Sequence, residues 1–217
     1  MFATELSGLG GSRRFASPVV WSSVKALRRF TVRAHLPERL LALDVAGEAE
    51  PDPAPGEGPA DYALRAARAK AEEARAARPG TLVIAADTIV VLGSEIMGKP
   101  RDAEHAVRML QRLAGNTHQV ITGCCLLPPA GSARKPVAFA AFSDVTMVPA
   151  SREMLAAYVA TGEPADKAGA YAIQGKGGFL VERVSGSYTN VVGLPLAKLT
   201  RALLELGAIA VRDTPAA

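Results

Sequence analysis

The feature that most limits how this chain can fold is an almost uninterrupted apolar run with one acid inside it. Residues Thr81–Leu92 read TLVIAADTIVVL, and the run is rich in β-branched side chains. This composition predicts a buried strand. Asp87 lies in its middle, where a carboxylate is costly to bury unless it is paired, hydrogen-bonded or bound to a metal. Asp87 is therefore either a structural residue that accepts backbone hydrogen bonds or a general base or metal ligand that faces a cleft.

Helices and strands are predicted to alternate from Ala60 onwards. Apolar periodicity, capping residues and glycine stops define their limits. The predicted helices are Ala60–Arg78, Asp102–Leu113, Ser151–Ala160 and Leu196–Leu206, and the further strands are Glu95–Met97, Gln119–Leu127, Val137–Val148 and Gly178–Val184. Such interleaving is typical of an α/β fold with a mixed sheet and flanking helices.

The first 59 residues differ from the remainder. Residues 1–23 are rich in Gly and Ser and show no regular period, and Ala49–Pro59 (AEPDPAPGEGP) has the composition of a linker. We expect residues 1–59 to form an atypical N-terminal segment with this linker. Residues 60–217 are expected to carry the function, within a single domain overall.

Composition and charge exclude several classes of protein. Apolar residues make up 49% of the chain and the net charge is only +4, which argues against a disordered protein. No apolar run is long enough to predict a membrane span, and no secretory signal is visible. The basic excess of residues 1–40 is offset by residues 41–60, whose charged side chains are all acidic. Nucleic acid and membrane are therefore not expected partners.

The cysteines and histidines offer no ready catalytic or metal-binding set. Cys124 and Cys125 are adjacent in a predicted strand, so their side chains point to opposite faces and are poorly placed for a disulfide. We expect both to be buried and unreactive, which suits a reducing cytoplasm. The three histidines are too scattered to ligate one metal, and His118 is interpreted as structural.

Three further stretches carry residues suited to binding phosphate. Lys99 lies in a Gly-Lys-Pro sequence and can act as a point charge, and Lys70 lies on the helix before the apolar strand. The segment 166–178 is rich in glycine, carries Lys167, and includes Gln174, whose amide could pair with the edge of a nucleotide base. Taken singly, each lysine fits a solvated surface position equally well.

Several motifs occur in a fixed order between about residues 58 and 207. They are Tyr62–Ala71, Ala85–Thr88, Gly98–Pro100, Gly115–His118, Thr122-Gly123, Tyr158–Pro164, Asp166–Gly175 and Gly186–Pro195. In order and spacing this set resembles the Maf family of nucleoside triphosphate pyrophosphatases. The resemblance implies an elongated mixed sheet with two lobes around a deep cleft. It also implies hydrolysis of a nucleoside triphosphate to the monophosphate and pyrophosphate with Mg²⁺ or Mn²⁺, in the cytoplasm, by a protein that is commonly a homodimer.

The resemblance also implies roles for individual residues. Asp87 matches the family's catalytic carboxylate, which would help to hold the metal and activate the attacking water. Lys70 and Lys99 match lysines that contact the triphosphate. Thr88 and Gln174 match positions that vary with substrate, and this pair is the one found in the subgroup that acts on dTTP and UTP. Lys167, in the matching glycine-rich segment, is a further candidate for substrate binding.

The N-terminal part departs from the family pattern. The family opens with an apolar strand and a Leu-Ala-Ser-x-Ser-Pro-Arg-Arg motif, and the nearest counterparts of its arginines are Arg13 and Arg14. The family's Val-Asp-Glu segment has no counterpart, and Phe30–Arg33 could be its second strand. Loose candidates for the second acid are Glu48, Glu50 and Glu57. Two explanations stay open: a shifted reading frame or misplaced start over residues 1–25, or a divergent N-terminus with weakened activity.

The leading hypothesis is a pyrophosphatase that acts on dTTP, UTP and related modified pyrimidine nucleotides. One alternative is a pyrophosphatase for 7-methyl-GTP, against which Thr88 and Gln174 argue. The other is a catalytically impaired nucleotide-binding protein with a regulatory role in cell division. Comparing pyrophosphate release from the three nucleotides by the wild type and by Asp87→Asn separates these hypotheses.

Overall fold

The computed structural model describes residues 52–209 and the backbone of two short strands, 19–22 and 40–42. The strands are β1 (Val19–Ser22), β2 (Leu40–Ala42), β3 (Leu82–Leu92), β4 (Glu95–Met97), β5 (Thr117–Leu127), β6 (Val137–Met147) and β7 (Val181–Ser185). The helices are α1 (Pro59–Ala77), α2 (Ala103–Leu113), α3 (Arg152–Val159), α4 (Tyr188–Val192) and α5 (Leu196–Glu205). The three 3-10 turns are Glu163–Asp166, Ala168–Ala170 and Lys176–Leu180.

The strands form one mixed sheet in the order β2-β1-β3-β5-β6-β7, with β4 paired to β3. Strands β1, β2 and β3 are parallel to one another, and β3, β5, β6 and β7 form antiparallel pairs. Strand β3 is central, since it pairs with β1 on one side and with β5 on the other. The predicted fold class, a mixed sheet with flanking helices, is confirmed.

Helix α1 lies close to the sheet because its buried face is made of alanine. Proline at its first position suits a helix start, and the helix ends before Pro79-Gly80, as predicted. The alanines that are at most 1% exposed on this face are Ala63, Ala66, Ala67, Ala71 and Ala74. Their small side chains allow the helix backbone to approach β3 and β5.

The side chains of β3 alternate between two layers, as they must in a strand. Val83 and Ala85 pack with the alanines of α1. Ile84 and Ala86 point the other way and pack with Leu199 of α5. The sheet is thus covered on both faces along β3, and this explains why the run from Thr81 to Leu92 is apolar almost throughout.

The bounds of one predicted strand were wrong. The predicted strand Gly178–Val184 begins only at Val181, because residues 176–180 form a 3-10 turn. Gly177 in that turn lies against Tyr158, whose hydroxyl would be 2.4 Å from a Cβ added to Gly177. A residue with a side chain therefore does not fit at this position. The segment from Gly186 to Pro195 contains the short helix α4.

The N-terminal region contributes more order than its composition indicated. Residues 19–22, for which no regular period was found, form a parallel strand beside β3. Within the predicted linker, Glu57 accepts hydrogen bonds at 2.7 Å from both Nε and Nη2 of Arg65 and one at 2.9 Å from the Ala54 N–H. The Arg65 hydrogen bond first, and then that from Ala54, lower the pKa of Glu57 to about 2. Arg13, Arg14, Glu48, Glu50 and Phe30–Arg33 lie outside the described residues.

Both cysteines are free and buried, as expected, and they lie on opposite faces of β5. Burial raises the pKa of the Cys124 thiol to about 12 and also raises that of Cys125. Thiols of this kind are poor nucleophiles at neutral pH. Among the described helices, none combines the length and apolar character that crossing a bilayer requires.

Candidate active site

Asp87 lies in the middle of β3 and forms an ion pair with Lys70 of α1. Its neighbours on the same face of the strand, Ala85 and Ile89, both pack under α1, so its carboxylate faces the helix too. The Asp87 side chain is 3% exposed, and that of Lys70 is 17% exposed. A carboxylate this deeply buried requires charge compensation, and the ammonium of Lys70 provides part of it.

Gly123 of β5 brings α1 close enough for this ion pair to form. It is directly opposite Asp87 in the strand register, on the same face of the sheet. An added Cβ at Gly123 would lie 2.3 Å from the carbonyl oxygen of Ala63 and 2.6 Å from the backbone nitrogen of Leu64. The helix backbone therefore occupies the space of the missing side chain, and Lys70, about two helical turns after Ala63, lies on the same helix face.

Thr88 follows Asp87 and therefore faces the opposite layer of the sheet. Its hydroxyl lies 2.9 Å from that of Thr122 on β5. The Thr122 hydroxyl in turn donates to the backbone carbonyl of Asn190 on α4, at 3.2 Å. Thr88 is half-buried, whereas Thr122 and Asn190 are completely buried.

Lys99 follows β4 and is exposed, and its segment is fixed to the glycine-rich segment that carries Lys167. The Gly98 carbonyl accepts a hydrogen bond at 3.1 Å from the N–H of Gly169. Gly169 has a φ of +69°, and an added Cβ would lie 2.9 Å from Val90 on β3, so a side chain would be excluded there on both counts. Lys167 itself forms an ion pair with its neighbour Asp166.

A half-buried carboxylate closes the loop that carries Gln174. Glu163 accepts hydrogen bonds from the backbone N–H groups of Lys176 at 3.0 Å and Gly177 at 2.8 Å, and from the Tyr158 hydroxyl at 2.9 Å. Burial, the largest single influence, raises the pKa of Glu163, but the three hydrogen bonds together hold it below its ordinary value. The loop between residues 163 and 177 is therefore closed by a charged acceptor.

A second internal contact fixes the middle of the same loop. The Nε2 atom of His118 lies 2.8 Å from the Tyr171 hydroxyl, and the two rings meet edge to face. His118 is 2% exposed, and burial lowers its pKa to about 4, with a smaller opposing effect from Asp144. The histidine is thus neutral at physiological pH and packs in the core, in agreement with its interpretation as structural.

The structure brings some of the predicted residues together and leaves others apart. Asp87 and Lys70 are in direct contact, and the segments that carry Lys99 and Lys167 are joined by a backbone hydrogen bond. A cavity of about 450 Å³ opens between the start of β6 and the end of α5, but none of the candidate residues lines it. Among the described residues there is no group of three or more His, Cys, Asp or Glu side chains that could hold a metal by themselves.

The sequence did not predict a role for several polar residues that pack against Thr88 or close the loop that carries Gln174. Thr122, Ser143 and Asn190 are buried at 2% exposure or less, and Glu163 closes the loop around Gln174. One signal was present: Thr122 is the single hydroxyl in the apolar sequence VITGCCLL, and a polar residue in such a strand requires a partner. The identity of the partner depended on the position of α4, which the sequence did not indicate.

Comparison with known proteins agrees with the motif pattern. The family model described as Maf-like protein matches residues 27–206 of the chain, which extends the likeness into the N-terminal segment. A protein of Nitratidesulfovibrio vulgaris named dTTP/UTP pyrophosphatase is 51% identical over 196 residues, which is 89% of this chain and 90% of the relative. Proteins of the same name from Oleidesulfovibrio alaskensis and Geobacter sulfurreducens are 46% and 45% identical, over 88% and 83% of this chain and 86% and 98% of the relatives. This chain belongs to the Maf family.

Proposed function

We propose that this chain is a nucleoside triphosphate pyrophosphatase that converts dTTP and UTP to the monophosphate and pyrophosphate. The observation that carries the proposal is the buried ion pair of Asp87 and Lys70 at the centre of the sheet, in a chain whose relatives are named dTTP/UTP pyrophosphatases. The lysine of the pair stays 17% exposed, so a ligand that comes from solvent can reach it. A buried acid with a partly accessible charged partner is an arrangement found at functional sites.

In the proposed mechanism Asp87 accepts a proton from the attacking water. The new P–O bond forms as the α–β phosphoanhydride bond breaks, and pyrophosphate leaves. The Lys70 ammonium, the more exposed partner, is the part of the pair that an incoming triphosphate meets. When a phosphate oxygen accepts a hydrogen bond that the Lys70 ammonium had donated to Asp87, an oxygen lone pair of the Asp87 carboxylate becomes available to accept a hydrogen bond from the water. Lys99, exposed beside its proline, adds a second positive charge against the phosphates.

A divalent cation, Mg²⁺ or Mn²⁺, fits this arrangement as a companion of the substrate. Mg²⁺ is commonly held by one or two carboxylates together with substrate phosphates, and Asp87 is the carboxylate that would hold it here. The described residues offer no cage of three ligands, which is consistent with a cation that arrives with the nucleotide. When bound, it would supply neutralisation of the charge that develops on the phosphates.

The same proposal covers the base preference, the cellular location and the oligomeric state of the enzyme. Thr88 and Gln174 are proposed to meet the base, and Lys167 is a candidate phosphate contact that would first have to leave Asp166. Free, buried Cys124 and Cys125 accord with a cytoplasmic enzyme. Homodimer formation, which the family resemblance implied, stays a prediction.

The test measures Mg²⁺-dependent pyrophosphate release from dTTP, UTP and 7-methyl-GTP. We expect Asp87→Asn to lower kcat by roughly 100- to 10,000-fold, because the proton acceptor and the carboxylate that would hold the cation are lost together. Nucleotide should still bind, because Lys70 and Lys99 remain. Lys99→Ala is expected to raise KM and lower kcat, because a phosphate contact acts in the ground state and in the transition state. Lys135→Ala, at another exposed lysine, is the matched control and should behave as the wild type.

Two outcomes would redirect the proposal. If the wild type and Asp87→Asn bind nucleotide but are equally inactive, the chain is a nucleotide-binding protein and not an enzyme. If 7-methyl-GTP is hydrolysed in preference to dTTP and UTP, the reaction type stands and the base assignment fails.

A further inference from the structure

The polar residues behind Thr88 form a connected and almost completely buried network. Thr122 and Asn190 are 0% exposed and Ser143 is 2% exposed. They join β3, β5, β6 and α4 through side-chain hydrogen bonds of 2.9–3.2 Å. Buried hydroxyls of this kind do not exchange partners with solvent, so the direction of each hydrogen bond is fixed by the chemistry of its partners.

The end of the network determines the direction of its other bonds. The backbone carbonyl of Asn190 can only accept, and it also accepts the Gly193 N–H at 2.9 Å. The Thr122 oxygen lies 3.2 Å from the same carbonyl oxygen, and two oxygens at this distance need a proton between them, which only the Thr122 hydroxyl can supply. The oxygen of Thr122 is then an acceptor in its 2.9 Å contact with Thr88. It follows that Thr88 donates its own proton inward to Thr122 and retains only oxygen lone pairs for any ligand.

The position of the Asn190 carbonyl is itself set by the fold. The Asn190 side-chain amide donates to the Val120 carbonyl at 3.1 Å and to the Ser143 hydroxyl at 3.0 Å. Because the Val120 carbonyl is an obligatory acceptor, the amide nitrogen must face it and the side chain cannot be turned over. The N-cap Ser187 also holds this short helix to β6, since its N–H donates to the Ser143 hydroxyl at 3.0 Å.

We propose that Thr122 and Asn190 are positioning residues that fix the Thr88 hydroxyl as a hydrogen-bond acceptor and thereby select a ligand that presents a donor. The inference rests on the proposed function, in which Thr88 meets a pyrimidine base. Uracil and thymine carry a single base N–H, at N3, so a Thr88 that can only accept must meet N3–H. Cytosine bound in the same position presents an unprotonated N3 to Thr88, so two lone pairs face each other. Its only base donor is the 4-amino group, which lies one ring position away from N3. The network therefore favours keto pyrimidines over cytosine without touching the nucleotide.

The test changes Thr122 and measures a ratio between substrates. Thr122→Val keeps the shape of the side chain and removes the acceptor, so the Thr88 proton is released and can be donated to N3 of cytosine. Thr122→Ser keeps the hydroxyl and is the matched control. Apparent affinity and kcat/KM are measured for UTP, CTP and N3-methyl-UTP with the wild type and both variants. Because each ratio is internal to one protein sample, a loss of folded protein does not change it.

We expect the wild type to prefer UTP to both CTP and N3-methyl-UTP. Thr122→Val should lower the UTP-to-CTP ratio by roughly 5- to 20-fold, which corresponds to one hydrogen bond gained or lost, and Thr122→Ser should keep the wild-type ratio. An equal loss for UTP and CTP in Thr122→Val would mean that Thr122 is merely structural and would overturn the inference. A wild type that binds UTP and CTP equally would also overturn it.

The inference and the proposed function can fail separately. A wild type that hydrolyses none of these nucleotides refutes the proposed function, and the affinity ratios then decide the inference by themselves. A wild type that hydrolyses UTP and CTP at equal kcat/KM keeps the proposed reaction and refutes the inference. A wild type that binds no nucleotide refutes both.

Discussion

Replacing Gly123 by alanine tests the packing that brings Lys70 to Asp87. An added Cβ would lie 2.3 Å from the Ala63 carbonyl oxygen and 2.6 Å from the Leu64 nitrogen. Carbon atoms in ordinary contact are about 3.5–4.0 Å apart, so the backbone of α1 must move away from β5 by roughly 1 Å. No flexible side chain can absorb the change, because the atoms in the way belong to the helix backbone.

The magnitude follows from the packing of the helix. Its buried face consists of alanines that are at most 1% exposed, so a displaced helix separates from the sheet along several turns. Overpacking of this kind costs about 1–3 kcal/mol. For a chain of this size each kcal/mol lowers Tm by roughly 2–4 °C, and we expect a fall of about 2–12 °C. Since Lys70 moves with the helix, kcat/KM should fall by roughly 10- to 100-fold.

The assay combines thermal unfolding with pyrophosphate release from UTP, and Gly80→Ala is the matched control. Gly80 follows α1, and nothing lies within 4 Å of a Cβ added there. Its backbone is outside the left-handed region, so alanine should be accommodated with little change in Tm or rate. If Gly123→Ala matches Gly80→Ala in both Tm and kcat/KM, then α1 is not held at the sheet by close contact and the account of the Lys70 position is refuted.

Two further predictions concern the loop around Gln174. Glu163→Gln should raise KM for UTP more than it lowers kcat, because the amide cannot accept all the hydrogen bonds from Tyr158, Lys176 and Gly177; equal KM values would contradict this role. The pKa of His118, lowered from 6.5 to about 4 by burial, means that the unfolded chain takes up the proton first as pH falls, so up to about 3 kcal/mol of stability should be lost between pH 6.5 and 4. Urea unfolding across this range checks it, and His118→Gln, which cannot titrate, should show a smaller dependence on pH.

Elements with a strong local signal were predictable from the sequence. The alanine-rich helix, the apolar run of β3 and the helix capped by Asp102 appear with bounds within two residues of those predicted. Asp102 accepts a hydrogen bond from the His105 N–H at 2.6 Å, which is the capping contact that its position indicated. These features depend on residues near one another in the chain, and local chemistry suffices for them.

The parts that escaped prediction depend on contacts between distant segments. The 3-10 turn at 176–180 exists because Glu163 and Tyr158 occupy the space beside Gly175 and Gly177. The sequence around β1 shows no regular hydrophobic period, and the strand is defined by its pairing with β3. The need of Asp87 for a partner was evident from the sequence, but its pairing with Lys70 depends on Gly123, a residue whose role appears only when two strands and a helix are placed together.

Because side chains alternate along β3, the rate of catalysis and the preference between nucleotides depend on opposite faces of the sheet. Asp87 faces α1, where Lys70 and Gly123 lie, and Thr88 faces the layer that contains Thr122 and α4. A change on the α1 face should therefore alter the rate for every nucleotide by the same factor, whereas a change behind Thr88 should alter the ratio between nucleotides. Gly123→Ala and Thr122→Val differ by one position on β5 and point to opposite faces. If both variants change the UTP-to-CTP ratio equally, the two faces are coupled and the division of labour along β3 is wrong.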